Sequence, residues 1–329
     1  MNDELRKRGT NRAHSVLLAD VGGTHSRFAL LASNGRPERV VSWDNNKYAS
    51  LENAITSYLA EADTRPQAAV LAVAGPITGR DIALTNRNWR FNLNELAGRF
   101  GFSRIHAIND FEAQAWALAQ LHEGDYRNVG DNAHAQSALS ASLHAVKVVL
   151  GPGTGLGVAA LVPVGNGWQA IPTEGGHVSF GAANKDEEPV FARLRASGPV
   201  TAEMVVSGMG LPRLHSALNP GTAALTAEAI VAQAKAGDAA AGATVRLFVR
   251  LLGRFAGDVA LMFKALGGVY IAGGVTGKLG TLFDEDIFRS AFEAHPPYGE
   301  LLKSLPTYLV TVAHPGLIGC AALATAQEA

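Results

Sequence analysis

Residues 105–121, IHAINDFEAQAWALAQL, decide how the rest of the chain is read. Ile105, Ala107 and Ile108 read as the end of a short buried strand, and from Phe111 onward Ala, Trp and Leu recur at helical spacing. Asn109 and Asp110 therefore stand at a strand-to-helix turn. In open α/β sheets, ligands collect at the carboxyl ends of strands, so a carboxylate here would project into a cleft with a helix N-terminus behind it. Asn and Asp at such a turn also cap helices by accepting backbone N–H bonds. The segment alone leaves both roles open.

A chain of 329 residues exceeds what one hydrophobic core usually spans, so two domains, or one domain with a large lobe, are expected, with a cleft between lobes. An apolar fraction of 47% with 36 glycines suits a compact α/β enzyme with many tight backbone approaches. The formal net charge is −1, and the basic residues form no block beyond Arg6, Lys7, Arg8 and Arg12, which argues against a nucleic-acid platform. Cys320 is the only cysteine, which excludes an intrachain disulfide and thiolate zinc clusters and points to the cytosol. Residues 1–15 are polar, and nowhere do ~18 strongly apolar residues run together. The expectation is a loose N-terminal extension and no membrane attachment.

Three glycine turns follow buried strands. The first is Asp20-Val21-Gly22-Gly23-Thr24, between apolar runs at residues 16–19 and 28–31. Two adjacent glycines let a turn expose N–H groups to an anion, Thr24 adds a hydroxyl, and Asp20 could hold a hydrated divalent cation. The same sequence also suits an ordinary hairpin turn. The second is Gly151-Pro152-Gly153-Thr154-Gly155-Leu156-Gly157, again between apolar strands. Four glycines in seven residues, Gly153 and Gly155 flanking Thr154 at the centre, exceed what a hairpin requires and favour close approach to phosphate. Gly155, Gly157 and Ala160 superficially fit a dinucleotide fingerprint, but that fingerprint must open a helix, whereas residues 158–162 read as strand. No GxxxxGK[ST] motif is present either. The third turn, Ala272-Gly273-Gly274-Val275, can press against an adenine or ribose, or simply turn.

Glu174 and His177 flank a Gly-Gly turn in IPTEGGHVSF, where a carboxylate and an imidazole suit a polyhydroxyl ligand. Glu203 follows Thr201, which could cap a helix, and reads equally as a first-turn acid favoured by the helix dipole. Residues 77–89 read as a loop or hairpin. Residues 211–266 are helical in character, with Leu247, Leu251, Leu252, Phe255 and Val259 marking one apolar face and Gly253 and Gly257 marking close packing. Residues 309–312 give a last strand, and residues 315–326 a terminal helix in which Cys320 is a buried small residue.

In this order, the motifs DVGGTHSRFAL, AINDFEAQA, LGPGTGLGVA, EGGHVSF and GGVYIAGGV resemble those of the bacterial glucokinase family along nearly all of residues 16–323. The resemblance implies an α/β, two-lobed actin-like ATPase (ribonuclease H-like) sugar kinase fold with an interdomain cleft. It places a small domain at residues 16–120 plus 312–329 and a large domain at 121–311. It also implies ATP-dependent phosphorylation of the glucose 6-hydroxyl in a cytoplasmic homodimer, with Asp110 as general base and Asn109, Glu174, His177 and Glu203 on sugar hydroxyls. ATP with Mg²⁺ would lie against Gly22, Gly23, Thr24, Gly153, Thr154, Gly155, Gly273 and Gly274, Asp20 orienting the metal through water. His25 departs from the family pattern, which often has Asn at that position. A kinase of another hexose, fructose or mannose, would keep every phosphate motif, and a catalytically silent glucose sensor would bind without turnover. The repressor and kinase sugar family of the same fold carries a cysteine-rich zinc motif that Cys320 alone cannot supply.

Overall fold

The computed structural model describes residues 16–130 and 144–328; the N-terminal extension and its basic cluster lie outside the described residues, as does most of the polar connector after residue 122. The described residues divide into two compact units, 16–121, 164–170 and 313–328 forming one and 122–130, 144–163 and 171–312 the other. Residues 164–170, assigned from sequence to the large domain, belong to the first.

The first unit is built on β1 (Val16–Val21), β2 (His25–Leu31), β3 (Pro37–Asp44), β4 (Ala68–Val73) and β7 (Arg104–Asn109), with β5 (Asp81–Ala83) and β6 (Arg90–Asn92) forming a separate hairpin. The sheet order is β3-β2-β1-β4-β7; β1 pairs antiparallel with β2 and parallel with β4, which pairs parallel with β7. Strand β4 is buried along its whole length, as its unbroken apolar run requires of a central parallel strand. Strand β7 is not: at the sheet edge only Ile108 is buried, which corrects the expectation of a buried strand there. The helix Leu51–Glu61, capped by Ser50, brings Ile55 and Tyr58 into a core with Leu17, Phe28 and Leu71, where the Phe28 ring stacks on Tyr58 at 5.5 Å.

The second unit repeats the plan. Its sheet comprises β8 (Tyr126–Asn128), β9 (Lys147–Pro152), β10 (Leu156–Val164), β11 (Gly167–Thr173), β12 (Val269–Ile271) and β13 (Thr307–Val310) in the order β11-β10-β9-β12-β13-β8, all within the second unit except residues 164–170. Here too a glycine hairpin joins two antiparallel strands, β9 and β10, and β9 pairs parallel with β12, which follows a long excursion. Strand β13 starts two residues earlier than expected and stops at Val310, because the Thr311 and Val312 amides leave the ladder to donate to the Asp125 carbonyl. The 25-residue helix Ala239–Phe263, capped by Asp238, buries Phe248, Leu251, Leu252 and Phe255. Gly253 packs against the backbone of Phe288 in helix Glu285–Glu293, so a side chain there would overlap the neighbouring helix.

In the first unit the last helix, Pro315–Glu328, lies on the helix Asp110–Ala117. Gly319 makes that approach possible: a Cβ at this position would overlap the Ala113 carbonyl. Cys320, next to it, is fully buried, its thiol directed at the Ala19 carbonyl. Overpacking of this kind typically costs about 1–3 kcal/mol. Gly319→Ala should therefore lower the melting temperature by several degrees, measured by circular dichroism; an unchanged value would refute the packing described.

Candidate active site

Val21, Val73 and Asn109 stand in register at the carboxyl ends of three parallel strands, so Asp20 and Asp110 come to the same edge of the first sheet. The two roles left open for this turn are divided between neighbours. The Asn109 side chain is the cap, its oxygen accepting from the amides of Phe111 and Glu112 while its amide donates to the Gly75 carbonyl. Asp110 is the first helical residue, and its carboxylate accepts the Phe111 amide at 3.0 Å.

Burial, and then the negative charge of Asp20, push the Asp110 carboxyl up to about 6, against the opposing pull of the Phe111 amide. Asp20 is itself raised by burial, which outweighs the Arg27 guanidinium beside it. Arg27 faces Asp20 across the β1–β2 register and donates to its Oδ2 at 3.1 Å. A Cβ on Gly316, in the first turn of the terminal helix, would stand 3.1 Å from the same carboxyl. The sequence offered no signal for Arg27 beyond its alternation with Asp20 along two paired strands.

In the second unit, residues from three motifs meet at Leu156. Glu203 accepts the Leu156 amide at 2.9 Å, and Gly176 packs on the Leu156 carbonyl so closely that a Cβ could not fit. Glu203 is therefore more than a first-turn acid, and Thr201, at the N-cap position of the short helix Ala202–Val205, makes no side-chain capping bond. Glu174 and His177 flank the single 3-10 turn Gly175–His177; both side chains are exposed and make no hydrogen bond among the described residues. Thr173 ties this turn to β10 by donating to the Val158 carbonyl.

Sequence reading missed what holds the chain beyond that turn. Arg254, on the long helix, donates to the buried Glu187 at 2.7 Å and to the Gly181 carbonyl at 2.6 Å, its guanidinium 4.3 Å from the Phe180 ring centre. Phe180 in turn bonds back to the Val200 carbonyl through its amide, linking the Glu174–His177 loop to the segment carrying Glu203. No local pattern reveals a pair 67 residues apart.

A cavity of about 1130 Å³ in the second unit is lined by Gly153, Thr154, Gly208 and Gly274, with Leu211 and Val231 among its apolar walls. A Cβ on Gly153 or Gly274 would meet no protein atom within 4 Å. Gly155 and Gly273 answer to the protein instead: Glu203 occupies the space beside Gly155, and Gly273 has φ 92° over the Pro152 carbonyl. In the first unit Gly23 lies against Asn86, a Cβ there standing 3.2 Å from the Asn86 Cβ.

The sequence pattern of the family described as Glucokinase matches residues 17–327. Glucokinase from Chelativorans sp. is 39% identical over 317 residues, covering 94% of this chain and 91% of its own. Bifunctional protein glk from Burkholderia lata is 39% identical over 318 residues, and there the chain, 94% covered, spans about half the relative's length, 48%. A glucokinase from an Antarctic psychrotroph has a solved structure that matches with a TM-score of 0.84 at 32% identity, over 94% of this chain and 98% of that one. A ROK family glucokinase from Streptomyces griseus, solved in complex with glucose and AMPPNP, shares the fold at a TM-score of 0.60 and 18% identity, over 94% and 98% of the two chains. The duplicated sheet with a glycine hairpin in each half is that of an actin-like ATPase sugar kinase. Within that class, the chain belongs to the glucokinase family.

A carboxyl raised by burial binds its proton more tightly folded than unfolded, so Asp110 costs stability above about pH 6, and the cost fades as pH falls toward 4. A displacement of that size corresponds to roughly 3 kcal/mol. Asp110→Asn, which keeps the acceptor for the Phe111 amide, should melt a few degrees above wild type at pH 7.5, the gap narrowing at pH 4.5. A variant no more stable at pH 7.5 would contradict the desolvation of Asp110.

Proposed function

We propose that this chain transfers the terminal phosphoryl group of ATP to the 6-hydroxyl of D-glucose, yielding glucose 6-phosphate, with Asp110 as general base. The observation that carries the reading is the Asp110 carboxyl, raised to about 6 at the strand ends. At neutral pH such a group is ionised yet basic enough to accept a hydroxyl proton as the oxygen attacks phosphorus, the match a general base needs. The names of the relatives support glucose as the acceptor.

Phosphate transfer is mostly positioning and charge stabilisation. On this reading the turns at Gly22, Gly23 and Thr24 and at Gly153, Thr154 and Gly155 offer amides and hydroxyls to the phosphates, and Gly273 and Gly274 border the adenosine. Asn109, Glu174, His177 and Glu203 take sugar hydroxyls; the free side chains of Glu174 and His177 suit that role. Asn109, committed to its cap and to Gly75, can add only its second amide hydrogen. Among the described residues no group of three or more His, Cys, Asp or Glu could hold a metal ion. That fits Mg²⁺, which keeps waters and takes substrate phosphates with one or two carboxylates; Asp20 would hold it through water, and the ion would offset phosphate charge. The reading also carries a cytoplasmic homodimer. Among the described residues no helix is long and apolar enough to cross a membrane.

An assay coupled to ADP release, run with glucose, fructose and mannose, should rank glucose first; equal use of fructose would sink the sugar assignment. Asp110→Asn should cut turnover ~10² to 10⁴-fold with glucose binding little changed, and wild-type kcat/KM should fall below about pH 6 as the base protonates. A loss smaller than about tenfold would remove Asp110 from the base role.

Gly153→Val tests the nucleotide side, since an added Cβ meets no atom of the described residues within 4 Å. The variant should keep its circular dichroism spectrum yet raise the KM for ATP or abolish turnover. Normal use of ATP would show that Gly153 does not border the phosphates.

A further inference from the structure

We propose that Asn45, which lies outside every glycine motif, is the positioning residue that aims the amides of the first glycine turn at phosphate. The inference rests on the reading of Gly22-Gly23-Thr24 as a phosphate turn. Asn45 follows β3 and is 1% exposed. Its side-chain amide donates to the Gly22 carbonyl at 2.7 Å and the Gly23 carbonyl at 3.3 Å, and its backbone amide donates to the Thr24 carbonyl at 2.8 Å. One residue thus holds three consecutive carbonyls of the turn.

A planar trans peptide sets each C=O opposite to the N–H of the next residue. Drawing the three carbonyls to Asn45 therefore turns the amides of Gly23, Thr24 and His25 to the other side. Among the described residues neither the Gly23 nor the Thr24 amide donates to any acceptor. Successive amides pointing into one space form an anion-binding nest.

The orientation of the Asn45 side chain is forced, because the reverse would set its oxygen against the Gly22 and Gly23 oxygens. That orientation leaves Oδ1 buried without a partner. A buried acceptor left unpaired opposes stability, so stability alone does not account for Asn45. Arg87 reinforces the arrangement from the hairpin beyond β5: it donates to the Asn45 carbonyl and to Asn46 Oδ1, with its guanidinium 4.5 Å from the Trp89 ring centre.

The test uses Asn45→Ala and, since a buried variant can fail to fold, the half-buried Arg87→Met, which loosens Asn45 from outside. Calorimetry should show MgATP affinity falling about tenfold in Asn45→Ala and about threefold in Arg87→Met, with glucose affinity, measured without nucleotide, within about twofold of wild type. Amide NMR of the wild type should show Gly23 and Thr24 shifting on addition of MgATP, and the shifts should shrink in either variant. MgATP affinity and amide shifts unchanged in the folded variants would overturn the role of Asn45, as would nucleotide and glucose affinities falling together. Should Asn45→Ala not fold, Arg87→Met alone decides by the same readings. Wild-type amides that ignore MgATP while Gly153→Val still impairs ATP use would instead overturn the phosphate reading of this turn, and the inference with it.

Discussion

Two carboxylates held near each other in protein rather than water are the constraint around which the first unit is arranged. Asp20 and Asp110 reach the same sheet edge because β1, β4 and β7 run parallel in register. Burial raises the proton affinity of both, and the charge of Asp20 raises that of Asp110 further because charges in a low-dielectric setting are poorly screened. Arg27 offsets part of that at Asp20, and the helix beginning at Asp110 supplies the Phe111 amide. On the proposed reading, what remains uncompensated is the basicity that phosphoryl transfer to a hydroxyl needs, so the unit stores its chemistry as unfavourable electrostatics.

The glycines sort into two groups once their surroundings are known. Gly155, Gly176, Gly253 and Gly319 are required by neighbouring protein atoms, since a Cβ would strike a carboxylate, a carbonyl or a backbone. Gly153 and Gly274 are required by none and line a cavity. On the proposed reading, the nucleotide that comes close accounts for these two positions. Repetition of glycine in sequence announces both groups alike and cannot separate them.

Much of the fold was legible because its signals are local. Apolar runs broken by glycine-rich turns gave both hairpins, and the change of period at Asn109 placed Asp110 at a strand end. The exposure of β7 was not legible, since three apolar residues look the same at the edge of a sheet as at its centre. Side chains that act across the chain were also hidden. Glu203 reaches Leu156, 47 residues away, and Arg254 reaches Glu187; neither distance leaves a periodic trace. Asn45 sits in DNNKY, a run that reads as a polar turn until the carbonyls it faces are seen.

The terminal helix has a consequence for how the protein is made. Its Gly319 and Cys320 lie against the backbone of Ala113 and Ala19, so the element bearing Asp110 lacks its support until residues 315–328 have left the ribosome. About 200 residues separate the two in synthesis, roughly 10 to 40 s at ordinary elongation rates. During that interval the residues of the second unit are made and can fold. The first third of the chain waits, its sheet lacking one covering helix, and depends for its completion on residues about 200 positions further along the chain.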